Sequence, residues 1–269
     1  MSERAATGTS FPGGIGDFRL VAHQVRYEQL AFWLNRVGAL FTVGFSVVFL
    51  VLLGASAGSQ RIGSLGNIKL VQYYVPAFVA YGVMAACFNM LAINLVVRRE
   101  TGLLKRLRLS PMPVWALLAS VFISTAIVAL VQVIVLLVIG RLGYAVHLPK
   151  AWAAFVVVLV VGIASFVAMG AAMSTAIPNQ ESAGPITSIV FFVLLFLSGL
   201  WFPLQPHSGL AKFANYFPVH HFILAVFAPF EFQPGVSPWP WHDLLIVAMW
   251  GAVSAVVALR QFRWSPRRS

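Results

Sequence analysis

Histidines and carboxylates gather in one part of the chain, between residues 203 and 243. Four of the six histidines lie there with two acids: His207, His220, His221, His242, Glu231 and Asp243. Imidazole nitrogens and carboxylate oxygens are ligands that zinc and related divalent metals take. Adjacent His220 and His221 would diverge by about 100° around a helix, so they would not readily hold one ion together. The residues favour a polar rim of a gate or interface, and no metal site is predicted.

A second chemically distinctive segment is the charged stretch at residues 97–113, VRRETGLLKRLRLSPMP. It holds five of the chain's 18 basic residues and a single acid, Glu100. Leu103, Leu104 and Leu107 recur at helical spacing, which predicts a short helix with one apolar stripe. The residues three and four positions after Glu100 are leucines, so no helical ion pair within the segment is expected to satisfy this acid. The pattern favours a helix that docks into a groove of another protein, with a solvated basic loop beside a membrane as the alternative.

Motifs for hydrolytic chemistry are missing from the chain. The dipeptide Gly-Lys never occurs, so the sequence contains no phosphate-binding P-loop, and neither H-E-x-x-H nor G-x-S-x-G is present. The chain is therefore predicted not to be an enzyme and to hold no cofactor itself. The apolar segments contain amides, mainly Asn89, Asn94 and Gln132, and almost no ionisable groups. This argues against a proton antiporter, because proton-coupled carriers usually bury ionisable relays at membrane depth.

The amino-acid composition indicates whether the chain folds in water or in a membrane. The 269 residues are 60% hydrophobic and 9% charged, against about 25% charged in an ordinary soluble domain, and the mean hydropathy is +0.88. One soluble core cannot hide so much apolar surface in a chain of this length, so the solvent must be lipid. Soluble enzymes, nucleic-acid-binding domains and disulfide-stapled secreted modules are excluded, the last because Cys87 is the single cysteine.

The apolar windows predict an all-α integral membrane protein with six transmembrane helices. The predicted spans are residues 38–57, 70–96, 114–139, 151–176, 186–203 and 241–260. Before them we expect a disordered N-terminus at 1–16 and an amphipathic interfacial helix at 17–36; after them, a basic tail at 261–269. This topology puts 13 Lys and Arg residues on one side and 5 on the other. The positive-inside rule then predicts that both termini are cytoplasmic, and the six spans form one domain at 37–260.

Three connecting segments leave alternatives open. The helix at 17–36 is either a plain membrane anchor or a connecting helix that braces a cytoplasmic partner. In the loop 177–185, IPNQESAGP, Glu181 either caps the fifth span or contacts a partner or the pathway. The segment 203–240 holds seven of the 15 prolines and yet is apolar, which predicts re-entrant or interfacial helices on the outer side.

Three motifs are the most specific in the chain: E-T-G-x-L at 100–104, S-P at 110–111 and S-G-x-x-F-P at 198–203. With the six spans and the amphipathic helix, they resemble the permease subunit of bacterial type-2 ABC exporters. That family includes daunorubicin-type drug-efflux permeases and polysaccharide and lipid exporters. The resemblance covers about residues 15–260. Phe217 stands before Pro218 where the family usually has an asparagine.

The resemblance implies roles for particular residues. Residues expected to form the coupling helix that contacts an ATPase are Arg99, Glu100, Thr101, Gly102, Leu103, Leu104, Arg106 and Leu107. Asn179 and Glu181 are expected to form a second coupling or hinge point. The expected outer gate and re-entrant residues are Gly199, Phe202, Pro203, Pro218 and His220.

The resemblance also implies partners and a location. Two copies of an ATP-binding subunit would hold ATP and magnesium, and a second permease chain, identical or paralogous, would complete the pathway. The expected location is the bacterial plasma membrane, in contact with lipid and without nucleic acid. The expected cargo is hydrophobic or amphiphilic. A secondary carrier or channel and a non-transporting membrane scaffold are the alternatives, and neither requires residues 97–113 to bind an ATPase.

Overall fold

The computed structural model describes residues 15–57, 60–62, 68–102, 114–201, 209–230 and 237–261. Within these ranges the chain is mostly helical, with one hairpin of two short antiparallel strands, Arg61–Ile62 and Ile68–Lys69. Six helices are long and apolar enough to cross a membrane, so the predicted all-α integral membrane fold is confirmed. Nearly all of the predicted disordered N-terminus and basic tail lies outside the described residues.

The six membrane-crossing helices are named spans one to six in chain order. Their bounds are Arg36–Ser56, Leu70–Glu100, Trp115–Tyr144, Trp152–Ala176, Gln180–Ser198 and Trp241–Gln261. Each apolar run forms a helix because lipid offers its backbone no hydrogen-bond partner. Spans one, four and six agree with the predicted bounds to within two residues, whereas spans two and three continue four and five residues further.

Span five differs most from its predicted range of 186–203. It begins at Gln180 because the Asn179 side chain caps it, accepting a hydrogen bond from the Ser182 backbone N–H at 2.9 Å. It ends at Ser198 because Gly199 adopts a left-handed conformation, with φ of 79°. Hydropathy alone detected neither boundary, since both are set by single polar or flexible residues beside an apolar run.

In the described part of the chain, three further helices flank the spans. The N-terminal helix, Ile15–Leu34, precedes span one, close to its predicted range of 17–36. Two short helices precede span six: Gly209–Ala214 and Pro218–Phe227, the second of which continues as a 3-10 turn at Ala228–Phe230. We call the second one the Pro218 helix. These two elements lie where the sequence predicted helices between spans five and six.

Spans one and two are each interrupted by a π-helical segment. Span one comprises Arg36–Ala39, the π segment Leu40–Gly44 and all but the last residue of the helix Phe45–Ala57. Span two consists of Leu70–Met84, the π segment Ala85–Met90 and Leu91–Glu100. The two π segments contact each other.

Span two is the centre of the bundle. Of its most apolar stretch 78% is buried, against 22% in span one and 17% in span six. Gln132 of span three is fully buried beside it, and its Nε2 donates to Thr42 O at 3.2 Å and to Ser46 Oγ at 2.6 Å in span one. A side chain at Gly82 would collide with this amide, since a Cβ there would lie 2.5 Å from Gln132 Nε2. A buried polar contact thus fixes spans one, two and three together.

Span four packs between spans two and six through close backbone approaches. A Cβ at Gly170 of span four would lie only 2.5 Å from the Cys87 carbonyl oxygen in the π segment of span two. On the other side, a Cβ at Gly251 of span six would lie 2.8 Å from Ser165 Cα of span four. Small residues at such positions let helices approach closely enough for van der Waals packing, which drives helix association in lipid.

Candidate functional site

Span two ends at Glu100, where the predicted coupling segment begins. Thr101 follows as the helix C-cap, and its Oγ1 donates to Val97 O at 2.8 Å. Gly102 then adopts φ of 70°, a left-handed conformation that glycine takes without steric cost. We call this end of the bundle, which carries Arg98 and Arg99 in the last turn of span two, the basic end. The other predicted coupling residues, Leu103, Leu104, Arg106 and Leu107, lie outside the described residues.

Arg99 is buried at the basic end, with 4% of its surface exposed. Its guanidinium donates to one backbone carbonyl in the last turn of span four and to two just after it: Nη1 to Ser174 O at 3.2 Å, and Nη2 to Ile177 O at 2.8 Å and to Pro178 O at 3.3 Å. Carbonyls at a helix C-terminus lack intrahelical donors and carry the negative end of the helix dipole, so a buried cation is stabilised there. Arg99 therefore joins the end of span two to the connection between spans four and five.

Glu100 forms an ion pair with the residue before it. Arg99 Nε donates to Glu100 Oε1 at 2.9 Å, and the two side chains are 5% and 16% exposed. The prediction excluded only a helical ion pair within the segment and missed this pair with the adjacent residue. That reasoning considered only partners one helical turn away, whereas Glu100 is the last residue of the helix and its carboxylate reaches the neighbouring guanidinium.

The connection between spans four and five contains the predicted second coupling point. Asn179 provides the side-chain cap of span five. Glu181 lies in the first turn with an exposed side chain, where a carboxylate interacts favourably with the helix dipole. The structure thus brings Arg99, Glu100 and the residues just before Asn179 together, through the Arg99 bonds to Ile177 and Pro178.

The N-terminal helix is attached to the same end by an ion pair that the sequence reasoning missed. Arg98 donates Nη1 to Glu28 Oε1 at 2.7 Å and Nη2 to Glu28 Oε2, a bidentate arrangement. Gln29 Nε2 donates to the Ser124 carbonyl at 2.7 Å, which connects the N-terminal helix to span three. This ion pair could have been suspected from the sequence, because Glu28 is the only acid between Asp17 and Glu100.

Several of the predicted gate residues lie at the opposite end of the bundle. The Gly199 carbonyl accepts a hydrogen bond from Tyr73 Oη of span two, and the neighbouring Ser198 carbonyl lies 3.2 Å from His220 Nδ1 of the Pro218 helix. Pro218 is buried as the first residue of that helix, where proline is favoured. The structure therefore brings Gly199 and His220 close together. Phe202 and Pro203 lie outside the described residues.

His221 lies next to His220 and makes different contacts. Its Nδ1 is 2.6 Å from Asp243 Oδ1 of span six, and its Nε2 is 2.9 Å from Asn215 O. His242 Nδ1 is 3.7 Å from the same Asp243 oxygen. Among the described residues, His221, His242 and Asp243 form a group able to hold a metal ion.

Comparison with known proteins identifies the class of this architecture. Residues 60–260 match the sequence profile of the family described as ABC-2 family transporter protein. The chain is also similar to "Putative transport permease YvfS" of Bacillus subtilis (strain 168), with 23% identity over 177 residues that cover 65% of this chain and 70% of that protein. The family match spans well over half of the 269 residues and includes five of the six spans. The resemblance seen in the sequence is confirmed, and the chain belongs to the ABC-2 family of transporter proteins.

Proposed function

We propose that this transmembrane transporter subunit exports a hydrophobic or amphiphilic cargo and is driven by a separate ATP-binding subunit that docks on residues 97–113. The observation that carries the proposal is the network around Arg98, Arg99 and Glu100. Arg98 holds the N-terminal helix through Glu28, and Arg99 holds the connection between spans four and five. A force applied where span two ends would therefore reach the N-terminal helix and spans two, four and five together.

The burial of the predicted coupling residues suggests that they have different roles. Arg99 is almost fully buried, so its role is to position the segment rather than to contact a partner. Thr101 is exposed and Gly102 is half-buried, so the surface for an ATP-binding subunit begins with them and continues into Leu103, Leu104, Arg106 and Leu107. Asn179 and the exposed Glu181 would supply a second contact point or hinge.

The proposed complex contains two ATP-binding subunits, which hold ATP and magnesium, and a second permease chain. Large parts of spans one, five and six face away from the chain's own core, since 78%, 67% and 83% of their most apolar stretches are not buried. Such faces require lipid or another chain as their surroundings. Family membership supports a permease dimer, in which the pathway lies between the two copies.

The chain's surface supports an apolar cargo. Span five exposes Phe192 and Phe196, with 60% and 76% of their surfaces accessible. The buried side-chain nitrogen of Gln132 is used in a contact between spans three and one. A cargo with acyl or aromatic parts matches such faces better than a small ion does. We place the complex in the bacterial plasma membrane with both termini of the chain in the cytoplasm, which the 13-to-5 distribution of basic residues supports.

The first test is affinity purification of the chain from native membranes in a mild detergent, followed by mass spectrometry. We expect a near-stoichiometric ATPase that contains a P-loop, and the same sample reports whether a second type of permease chain accompanies it. Recovery of the intact chain without an ATPase in several detergents would contradict the proposal and favour a secondary carrier or a scaffold.

The second test reverses two charges of the coupling segment, Glu100→Lys with Arg106→Glu. We expect normal membrane insertion but loss of the copurifying ATPase and of ATP-dependent flux. Arg260→Glu is the matched control, because Arg260 is exposed in the last turn of span six and lies outside the proposed docking segment. Normal flux in the double variant would count against the assignment.

A further inference from the structure

We propose that His221, His242 and Asp243 bind a divalent transition-metal ion of the zinc type where the Pro218 helix meets span six. His221 is the fourth residue of the Pro218 helix, and His242 and Asp243 are the second and third residues of span six. The packing of these two helices brings one ligand atom from each of the three residues within 4.8 Å of the others. The proposal does not depend on the proposed export function.

The hydrogen-bonding needs of His221 are the main argument for a cation. Its Nε2 faces the Asn215 carbonyl at 2.9 Å and its Nδ1 faces the Asp243 carboxylate at 2.6 Å. Both of these groups only accept hydrogen bonds, whereas a neutral imidazole has a single N–H. If Nε2–H donates to the carbonyl, the Nδ1 lone pair points at a carboxylate oxygen. A positive species must then lie between Nδ1 and Asp243, and it is either a metal ion or a proton.

The contact with Asn215 is typical of metal-binding histidines. A histidine ligand usually donates its other ring N–H to a carbonyl or carboxylate, which fixes the tautomer and aims the free lone pair at the metal. The Asn215 carbonyl does this for His221, and burial of the ring, which is 5% exposed, keeps the orientation.

His242 favours a metal over a proton. A proton shared by His221 and Asp243 needs no third group, yet His242 Nδ1 lies 3.7 Å from the same Asp243 oxygen. Two imidazoles and one carboxylate form the three-ligand set of many zinc enzymes, in which water fills the fourth position. The His242 side chain is 82% exposed, so water can reach that position.

The distances require only a small adjustment on binding. Ligand atoms about 2.0–2.2 Å from a tetrahedral ion lie about 3.3 Å apart; here the two distances to Asp243 are 2.6 Å and 3.7 Å, and all three ligand atoms lie within 4.8 Å of one another. The Asp243 side chain is 20% exposed and that of His242 is mostly exposed, so both can shift while His221 stays fixed. His220 takes no part, because its Nδ1 faces the Ser198 carbonyl. The divergence of adjacent histidines still holds; the structure groups His221 with span six instead.

The test measures Zn²⁺ binding to the full chain, purified with a tag that contains no histidine and stripped with a chelator. We expect isothermal titration calorimetry to show about one equivalent per chain, and His242→Ala to weaken the affinity by about tenfold or more. His147→Ala is the matched control, because His147 has an exposed side chain in the connection between spans three and four. It should bind as the wild type does.

Folding defects are separated from ligand loss by thermal unfolding. His242 is exposed, so His242→Ala should unfold at the wild-type temperature without metal. One fixed concentration of Zn²⁺ should raise the unfolding temperature of the wild type and His147→Ala more than that of His242→Ala. Asp243→Asn should behave like His242→Ala in the titration. Absence of a wild-type Zn²⁺ site, equal binding by His242→Ala, or a His221 imidazolium that persists in saturating Zn²⁺ by NMR would overturn the proposal.

Discussion

Arg99 illustrates how a residue's position in three dimensions changes its role. By sequence it belongs to a basic segment and is expected to contact a partner. In the structure its guanidinium is used within the chain, on three backbone carbonyls and on Glu100. The five donors of an arginine in a fixed plane suit this task, and lysine cannot reproduce it.

We predict that Arg99→Ala lowers the free energy of unfolding by about 3–5 kcal/mol, the usual cost of removing one partner of a buried charged network. Arg99→Lys should recover only part of this loss, because an ammonium group lacks the planar fork. Unfolding of the purified chain in detergent, followed by tryptophan fluorescence, provides the measurement. Arg260→Ala, at an exposed arginine, should have almost no effect; a loss of stability as large as that of Arg99→Ala would refute the assigned role.

At the residue scale the sequence predicted where the proposed coupling segment begins, but not the contacts of its first residues. Residues 99–102 do lie where span two ends. The partners of Arg99 could not be predicted, because they are main-chain carbonyls 75 to 79 residues away that carry no side-chain signal. The Glu28–Arg98 pair is separated by 70 residues, and it could have been suspected only from the rarity of acids in the chain.

At the scale of elements, the N-terminal helix is both a surface element and part of the bundle. Phe18 and Leu34 are exposed, each with 77% of its surface accessible, whereas Val21 and Glu28 are buried. The exposed aromatic and aliphatic side chains suit the headgroup region of a membrane. The buried side is fixed to spans two and three by Glu28 and Gln29. These contacts fix the helix to the bundle, and its bracing of a cytoplasmic partner stays a prediction.

We predict that the chain tolerates an exchange of the two charges of the Glu28–Arg98 pair but loses stability when only one of them is changed. Glu28→Arg alone places two guanidinium groups together and should destabilise the chain by about 1–3 kcal/mol, with faster hydrogen exchange in residues 18–34. The swapped variant, Glu28→Arg with Arg98→Glu, should restore most of the protection. A double-mutant cycle from unfolding data gives the coupling energy. If the swap is no better than the single variant, the pair does not hold the helix.

Spans were more predictable than the details within them. Hydropathy found all six, because a helix needs about 20 apolar residues to cross the membrane. The ends of span five depended on Asn179 and Gly199, and the flanking charges gave no sign of either. The π segments in spans one and two leave no hydropathy signal at all, since their residues are as apolar as their neighbours.

At the scale of the whole molecule, the two ends of the helical bundle carry different elements. Six crossings bring the N-terminal helix, the end of span two, the connection between spans four and five and the end of span six to the basic end. The opposite end carries the Pro218 helix, the connection between spans three and four and the histidine group. The hydrogen bonds and ion pairs given above for the two ends share no residue of the described ranges, so each end can be tested separately.

We predict that Thr101 and His147 lie on opposite sides of the membrane, with Thr101 in the cytoplasm. Both side chains are exposed, and Cys87, the only native cysteine, is buried, so cysteine variants can be made without further changes. A membrane-impermeant maleimide should label His147→Cys in intact spheroplasts and Thr101→Cys only after permeabilisation. Labelling of Thr101→Cys in intact spheroplasts would reverse the orientation.

The touching π segments of spans one and two have a consequence for the evolution of this chain. A π turn holds one residue more than an α turn, and one residue turns a helix by about 100°. The part of each span after Leu40–Gly44 or Ala85–Met90 is therefore rotated about the helix axis relative to its position in an uninterrupted α-helix. A relative that lost either segment would differ by a single-residue deletion, and would present a different face from that point onward. A correct sequence alignment with such relatives needs a one-residue gap in the middle of a membrane helix, a position at which alignments ordinarily place no gap.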